Sequence, residues 1–268
     1  MLHFFRRIRQ NLLTRNRFTK YLLYALGEIV LVVIGILIAL QINNWNELRQ
    51  DQEIYRSYLF RLRSDIELIQ ETVRQKRAWE SELIDLAHYQ LDFLTGEINS
   101  PDPLKLAMSI EFTASVNRYE ISSPTYKELN STGRLALIEN DLIRDFLSSY
   151  DLYIAMRQDQ KAEWDPWTHE YRSQVRGILN PEDRGFIDFV FGDENADLQS
   201  PTWEDYELRT PEESVIGGLS SIPDLQGLLR DVLTARQITL SFMDREIENS
   251  SYLLDLIESE LDRLSSKS

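Results

Sequence analysis

The sequence predicts a mainly α-helical protein in which one N-terminal transmembrane helix is followed by an elongated extracytoplasmic helical bundle. An apolar run extends from Tyr21 to Ile42. Three later stretches, at 43–95, 140–179 and 224–266, repeat apolar side chains at the three- and four-residue spacing of one helix face. Basic and acidic residues are also separated along the chain, because the first 20 residues contain six bases and no acid.

These patterns divide the chain into a basic cytoplasmic segment at 1–20, a transmembrane helix at 21–42 and a translocated helical-bundle domain at 43–268. Within that domain we expect an acidic irregular insertion at 180–223. Six of the 29 bases belong to the basic segment, so 23 bases remain against all 44 acids, a formal charge of −21. A surface this acidic repels nucleic acid, and we expect no nucleic-acid partner.

The apolar run has the length of a membrane-spanning helix. At 1.5 Å per residue it extends about 33 Å, which matches a hydrocarbon core of about 30 Å. Tyr21, Tyr24 and Trp45 lie at its edges, where amphipathic aromatic side chains prefer the membrane interface. The bases precede the run, which predicts a cytoplasmic N-terminus. A cleaved signal peptide is the competing interpretation, but the residues after Ala39 do not form a small-residue cleavage pattern.

A seam of mostly small residues follows one face of the predicted span. It consists of Ala25, Glu28, Val32, Gly35 and Ala39, spaced alternately by three and four residues. Small side chains allow two membrane helices to approach closely. A carboxyl within the span is costly to insert, so we expect Glu28 to hydrogen-bond across a helix pair. The alternative is that Glu28 reaches the cytoplasmic interface.

Two blocks of the sequence resemble a known family. The segment RFTKYLLYALGEIVLVVIGILIALQINNWNE, at 17–47, is similar to the N-terminal signature of a domain-of-unknown-function family of single-span membrane proteins from Bacteroidota. The segment SPTYKELNSTGRLALI, at 123–138, is similar to a second block of that family. The resemblance implies an inner (plasma) membrane and a periplasmic location for the domain at 43–268. It implies no activity.

The domain begins with a helix at 43–95 that we expect to continue the membrane helix. Its apolar positions have coiled-coil-like spacing, and Gly96 is the first proline or glycine after Gly35. A short helix is expected at 104–112. A helix start follows, with Ser123 or Thr125 as its cap and Pro124 near the first turn, and Gly133 favours a left-handed end.

Two further long helices are expected at 140–179 and 224–266. Asn140 or Asp141 opens the first of them, and Pro166 must kink or break it. Between them, four prolines and four glycines predict the irregular insertion. The segment FIDFVF, at 186–191, is interpreted as a short strand or an apolar plug.

No residue pattern identifies catalytic chemistry. The sequence has no glycine-rich phosphate loop, no G-x-S-x-G and no H-E-x-x-H. It has no cysteine and three histidines, so we expect no cofactor and no histidine-rich metal site. Positions 1, 3, 5 and 12 of a calcium loop are matched by Asp193, Asn195, Asp197 and Glu204. Leu198 replaces the turn glycine, however, and we interpret the match as chance.

We therefore expect a non-enzymatic, membrane-anchored periplasmic interaction or scaffold protein. Its partners would be the membrane and either a second copy of the chain, in a homo-oligomer, or another envelope protein. The alternative is an extracytoplasmic ligand-binding or sensory module that acts through a membrane partner. A recurrent protein partner would favour the first function, and a bound small molecule would favour the second.

Overall fold

The computed structural model describes residues 17–115, 121–191 and 206–266. Within these ranges the chain is mainly helical, as the sequence predicts. The described residues form no strand. The chain divides into two compact units, Met1–Ser57 and Tyr58–Ser268.

The first helix, α1 (Arg17–Thr95), is 79 residues long. The expected membrane helix and the expected helix at 43–95 are therefore one continuous element. Within the first unit its polar surface carries pairs four residues apart, in which Asn43 donates a hydrogen bond to Glu47 and Arg49 to Glu53. Such pairs stabilise exposed helix turns by a few tenths of a kcal/mol.

Helix α1 ends where the sequence places a glycine. Gly96 has a φ of +84°, in the left-handed region that glycine adopts readily. Its N–H donates to the carbonyl of Phe93, and the N–H of Glu97 donates to the carbonyl of Asp92 over 2.8 Å. These bonds satisfy carbonyls that the last helical turn leaves unpaired.

Two short helices follow, α2 (Pro103–Phe112) and α3 (Pro124–Ser131), then a 3-10 turn, η1 (Arg134–Leu137). Ser123 is the N-cap of α3, because its side chain accepts a hydrogen bond from the N–H of Tyr126. Gly133 separates α3 from η1 with a φ of +69°. Both the helix start at Ser123 and the left-handed glycine are confirmed.

The two remaining long helices are α4 (Asp141–Val175) and α7 (Leu225–Ser265), which pack against each other. Asn140 caps α4 by accepting hydrogen bonds from the N–H groups of Leu142 and Ile143. Pro166 lies inside α4 without ending it, so of the two expected outcomes the break is wrong, and the kink stays a prediction. A proline removes one backbone donor, and the helix retains its other hydrogen bonds around that gap.

The expectation of irregular structure at 180–223 is wrong for two segments, which form α5 (Pro181–Phe191) and α6 (Glu212–Ser221). The segment FIDFVF is thus helical and not a strand. Pro181 occupies the first helical turn, where a missing N–H costs nothing. Gly218 lies inside α6, and a Cβ there would sit 3.1 Å from the Ile178 side chain. This glycine reflects close packing.

The hydrophobic core of the second unit collects residues from α1, α2 and α4 to α7. Its fully buried members share a relative exposure of 0% and are Leu83, Ala87, Leu106, Ala107, Tyr171, Ile187, Leu219, Leu229 and Val232. Helix α1 also buries Leu59, Leu62 and Val73, three positions of the predicted apolar spacing. The spacing therefore identified the face of α1 that the unit covers.

Candidate functional site

The apolar surface of α1 in the first unit is the largest unusual feature of the described residues. Leu23, Leu26 and Leu31 expose 72%, 62% and 66% of their surface, and the most apolar stretch of the helix is not buried at all. This is also the one described helix that is long and apolar enough to cross a membrane. Exposed apolar surface costs roughly 25 cal/mol per Å² in water, so this segment is suited to lipid or to another apolar helix.

The predicted seam lies on this exposed part of α1. Glu28, Val32, Gly35 and Ala39 are exposed, and Ala25 is partly exposed. A Cβ added at Gly35 would have no atom of the described chain within 4 Å. The seam is therefore open for a second helix to approach, and its role in association stays a prediction.

The predicted calcium-loop residues Asp193, Asn195, Asp197 and Glu204 lie outside the described residues. Within the described ranges, no group of three or more histidine and carboxylate side chains could hold a metal ion. The basic segment up to residue 16 also lies outside them.

The second family-like block is joined to α1 by a polar junction. Glu128 accepts hydrogen bonds from Arg61 over 2.5 Å and from the hydroxyl of Tyr58 over 2.9 Å. Arg134 donates to the same hydroxyl over 3.2 Å. The bonds from Arg61 and Tyr58 lower the pKa of the Glu128 carboxyl. The junction is partly exposed, so it positions the block without closing a pocket.

Asp65 of α1 holds the start of the same block. One of its carboxylate oxygens accepts hydrogen bonds from the Ser123 hydroxyl over 2.7 Å and from the N–H of Thr125 over 2.9 Å. Ser123 and Thr125 are both buried, at 2% relative exposure. An acid at a helix N-terminus also stabilises the helix dipole. Three side chains of α1, those of Tyr58, Arg61 and Asp65, therefore hold the block.

A buried ion pair lies between α1 and α7. Arg236 donates to Glu80 over 2.8 Å, and the two side chains expose 6% and 2% of their surface. The same guanidinium donates to the carbonyls of Phe112, Thr113 and Ser115, at and just after the end of α2. Arg236 thus neutralises a buried carboxylate and caps a helix C-terminus, which is a structural arrangement.

A second buried polar group connects α1 to α4. The Tyr171 hydroxyl donates to the Gln90 side-chain carbonyl over 2.6 Å, and Thr113 approaches the same oxygen at 3.4 Å. Burial raises the pKa of Tyr171 well above its usual range. The hydroxyl therefore acts as a neutral donor in the core, with no role in proton transfer near neutral pH.

Asp183 organises the start of α5. Its carboxylate accepts hydrogen bonds from the N–H groups of Arg209 and Thr210, from the Thr210 hydroxyl and from the Tyr206 hydroxyl. Burial alone would raise its pKa, but the hydrogen bonds from Thr210, Arg209 and Tyr206 outweigh burial and lower it. Phe186 stacks on the Tyr206 ring with a centroid separation of 3.5 Å. Asp183 therefore binds the start of the described segment that follows residues 192–205 in the sequence.

Glu246 is a buried carboxyl at the packing surface of α4 and α7. It exposes 2% of its surface, and the Tyr150 hydroxyl donates to its Oε1 over 3.3 Å. Its Oε2 has no hydrogen-bond partner among the described residues. Burial raises the pKa of Glu246, against the opposing effects of Arg157 and of the Tyr150 and Tyr153 hydroxyls.

None of these buried groups was predicted from the sequence, although α7 carries a signal that could have found two of them, Arg236 and Glu246. Its positions 225, 229, 232, 236, 239, 243, 246, 250, 253, 257, 260 and 264 alternate spacings of four and three residues. Nine of these positions carry residues other than glutamate or arginine, and the exceptions are Arg236, Glu246 and Glu260. All three charged residues are buried. A charged residue in an apolar helix stripe indicates a paired or perturbed group in the core.

The N-terminal part of α1 matches a known family. Residues 28–81 match a family of unknown function (DUF6090). The match covers the C-terminal two thirds of the predicted span and the following helix through Ser81. Searches of curated proteins and of solved structures give no match to the chain.

Proposed function

We propose that this protein is a non-enzymatic scaffold or interaction protein, anchored in the inner membrane by Tyr21–Ile42 with its helical domain in the periplasm. The observation that carries the proposal is the complete exposure of the apolar stretch of α1. The second unit has its own buried core and needs no apolar helix from outside it. An apolar segment that continues in sequence into a unit with its own buried core is expected of a membrane-tethered domain.

The orientation follows from charge. Six bases precede the span, and bases flanking a span remain on the cytoplasmic side. All acidic residues except Glu28, which lies within the span, follow it, and this is compatible with translocation because acids contribute little to membrane orientation.

Single cysteines test this orientation without background, because the chain has no native cysteine. Ser220→Cys places a thiol on an exposed position of α6, and Asn16→Cys places one before the span. In intact spheroplasts, a membrane-impermeant maleimide should label Ser220→Cys directly and Asn16→Cys only after permeabilisation. The reverse pattern would overturn the orientation, and labelling of neither position after permeabilisation would show blocked thiols. An Asn43→Cys variant then reports from the far edge of the span.

An interaction role is supported by apolar side chains of the second unit that are more than half exposed. Leu142, Leu152 and Met156 of α4 expose 57%, 65% and 56% of their surface, and Tyr252 of α7 exposes 51%. A photo-crosslinking residue at Leu152 should give one recurrent adduct in native membranes. The same residue at Ser148, which is exposed and polar on the same helix, is the matched control. Equal adducts at both positions would contradict a specific interaction surface.

A further inference from the structure

The packing surface of α4 and α7 contains a carboxyl in a setting that suits its neutral form. Glu246 exposes 2% of its surface, and one of its two oxygens lacks a hydrogen-bond partner among the described residues. Carboxylates that remain ionised inside proteins accept several hydrogen bonds or bind a cation. Asp183 is an example of the first kind, because its carboxylate accepts four hydrogen bonds. Glu246 accepts a hydrogen bond from the Tyr150 hydroxyl at its Oε1 over 3.3 Å, and its Oε2 accepts none among the described residues.

Tyr150 and Tyr153, which act on Glu246, belong to pairs of packed aromatic rings. The Tyr126 ring packs edge-on against Tyr150, and the Phe242 ring lies between Tyr153 and Trp164. The Tyr153 hydroxyl donates to the backbone carbonyl of Phe242 over 3.2 Å. Rings supply little solvation to a negative charge, so an ionised Glu246 gains little from this neighbourhood.

The charged and titratable groups that act on Glu246 are Tyr150, Tyr153 and Arg157, all on α4. Arg77 of α1 pairs with Asp244, two positions before Glu246 on α7. Arg157 favours the ionised carboxyl, but burial has the larger effect and raises its pKa. The hydroxyls of Tyr150 and Tyr153 remain neutral, because burial raises their pKa values as well, that of Tyr153 to about 12.

We infer that Glu246 is a proton-controlled latch between α4 and α7, closed when the carboxyl is neutral and loosened when it ionises and draws in water. This inference goes beyond the proposed function and does not depend on the membrane topology or on any partner. It concerns the packing of two long helices of the second unit.

The direction of the effect follows from proton linkage. A local opening that hydrates Glu246 returns its pKa to the ordinary value, about 4.3, so the open form holds fewer protons than the closed form above that pH. Opening therefore becomes easier as the pH rises, by about tenfold per pH unit, until the raised pKa of the closed form is reached. Below the ordinary value, both forms are protonated and the effect disappears.

Buried single cysteines measure this opening in the full-length chain in detergent micelles. Met243→Cys reports near Glu246, one helical turn away on the same face of α7. Leu229→Cys is the control, because Leu229 is on the same helix and both native side chains are 0% exposed. The rate of thiol modification is measured for each variant between pH 5 and pH 8, and the ratio of the two rates cancels the ionisation of the thiol itself.

The ratio of the Met243→Cys rate to the Leu229→Cys rate should rise with pH. Adding Glu246→Gln to both variants should remove that rise, because the amide does not ionise. A ratio that is constant with pH, or a rise that persists with Glu246→Gln, overturns the latch.

If Glu246→Gln prevents folding, the Tyr150→Phe variant tests the proposal in its place. It removes the donor to Oε1 and disfavours the ionised carboxyl in the closed form. The rise of the ratio should then extend to higher pH, and an unshifted profile overturns the proposal.

Discussion

The guanidinium of Arg236 lies 2.8 Å from the carboxylate of Glu80, and the two residues are 156 positions apart in the chain. Arg236 belongs to α7 and Glu80 to α1, so this buried pair joins the first and the last of the described helices. The remaining donors of Arg236 bind carbonyls at the end of α2. One side chain thus satisfies groups from two elements that are distant in sequence.

The first prediction concerns the removal of this pair. Arg236→Met should lower the free energy of unfolding by about 3–5 kcal/mol, because it removes the buried guanidinium that neutralises the Glu80 carboxylate. The matched control is Arg77→Met, which breaks a pair between the same two helices whose side chains are 40% and 45% exposed. That control should cost less than about 1 kcal/mol. Urea unfolding of the full chain in detergent measures both, and equal losses would contradict the structural role of Arg236.

The second prediction concerns Gly133. Gly133→Val should destabilise the protein by about 1–3 kcal/mol, because a β-branched residue is strained at a φ of +69°. A Cβ at this position would meet no atom within 4 Å, so the loss comes from the backbone and not from collision. Gly133→Asn is the control, since asparagine tolerates the left-handed region better. If the valine and asparagine variants melt at the same temperature, backbone strain is not the cause.

The third prediction concerns the pH dependence of Asp183. Its pKa is lowered in the folded protein, so its contribution to stability is present above the ordinary value of about 3.9 and is lost as pH falls through the lower folded value. Asp183→Asn should cost about 1–3 kcal/mol or more at pH 7, because buried donors lose a charged acceptor. The difference from wild type should shrink as pH falls from about 4 toward 2.

The control for Asp183 is its neighbour Glu182. Glu182 pairs with Arg209 at the surface, where the two side chains are 64% and 66% exposed. Glu182→Gln should therefore have little effect on urea unfolding at pH 7. A loss for Glu182→Gln as large as that for Asp183→Asn would refute the assignment of a special role to the buried carboxylate.

The fourth prediction concerns the seam in the membrane. Glu28→Leu should weaken helix association by about 0.6 kcal/mol, roughly threefold, which is the typical strength of a hydrogen bond between membrane helices. Gly35→Leu should weaken it further, because the larger side chain holds two helices apart. Cysteine cross-linking at Val32 reports on the seam, and cross-linking at Val33 reports on another face. Equal cross-linking at both positions, unchanged in both variants, would remove the case for the seam.

Part of this architecture could be read from the sequence because it is local. The helix start at Ser123, the ends at Gly96 and Gly133, and the apolar face of α1 each depend on residues within one or two turns. Capping, left-handed glycines and helical periodicity act over that range, so the residue pattern was sufficient. The composition of Tyr21–Ile42 likewise determined a long apolar helix.

The tertiary structure decided what depends on distant neighbours. The prolines and glycines of 180–223 predicted irregular structure, yet Gly218 lies inside a helix, at a position where a Cβ would sit 3.1 Å from the Ile178 side chain. Arg236 and Glu246 belong to one apolar stripe of α7, yet Arg236 meets Glu80 of α1 and Glu246 meets Tyr150 of α4. Whether a buried charge is paired or left in an apolar setting depends on which helix folds against it. Local sequence contains the charge, and only packing supplies or withholds its partner.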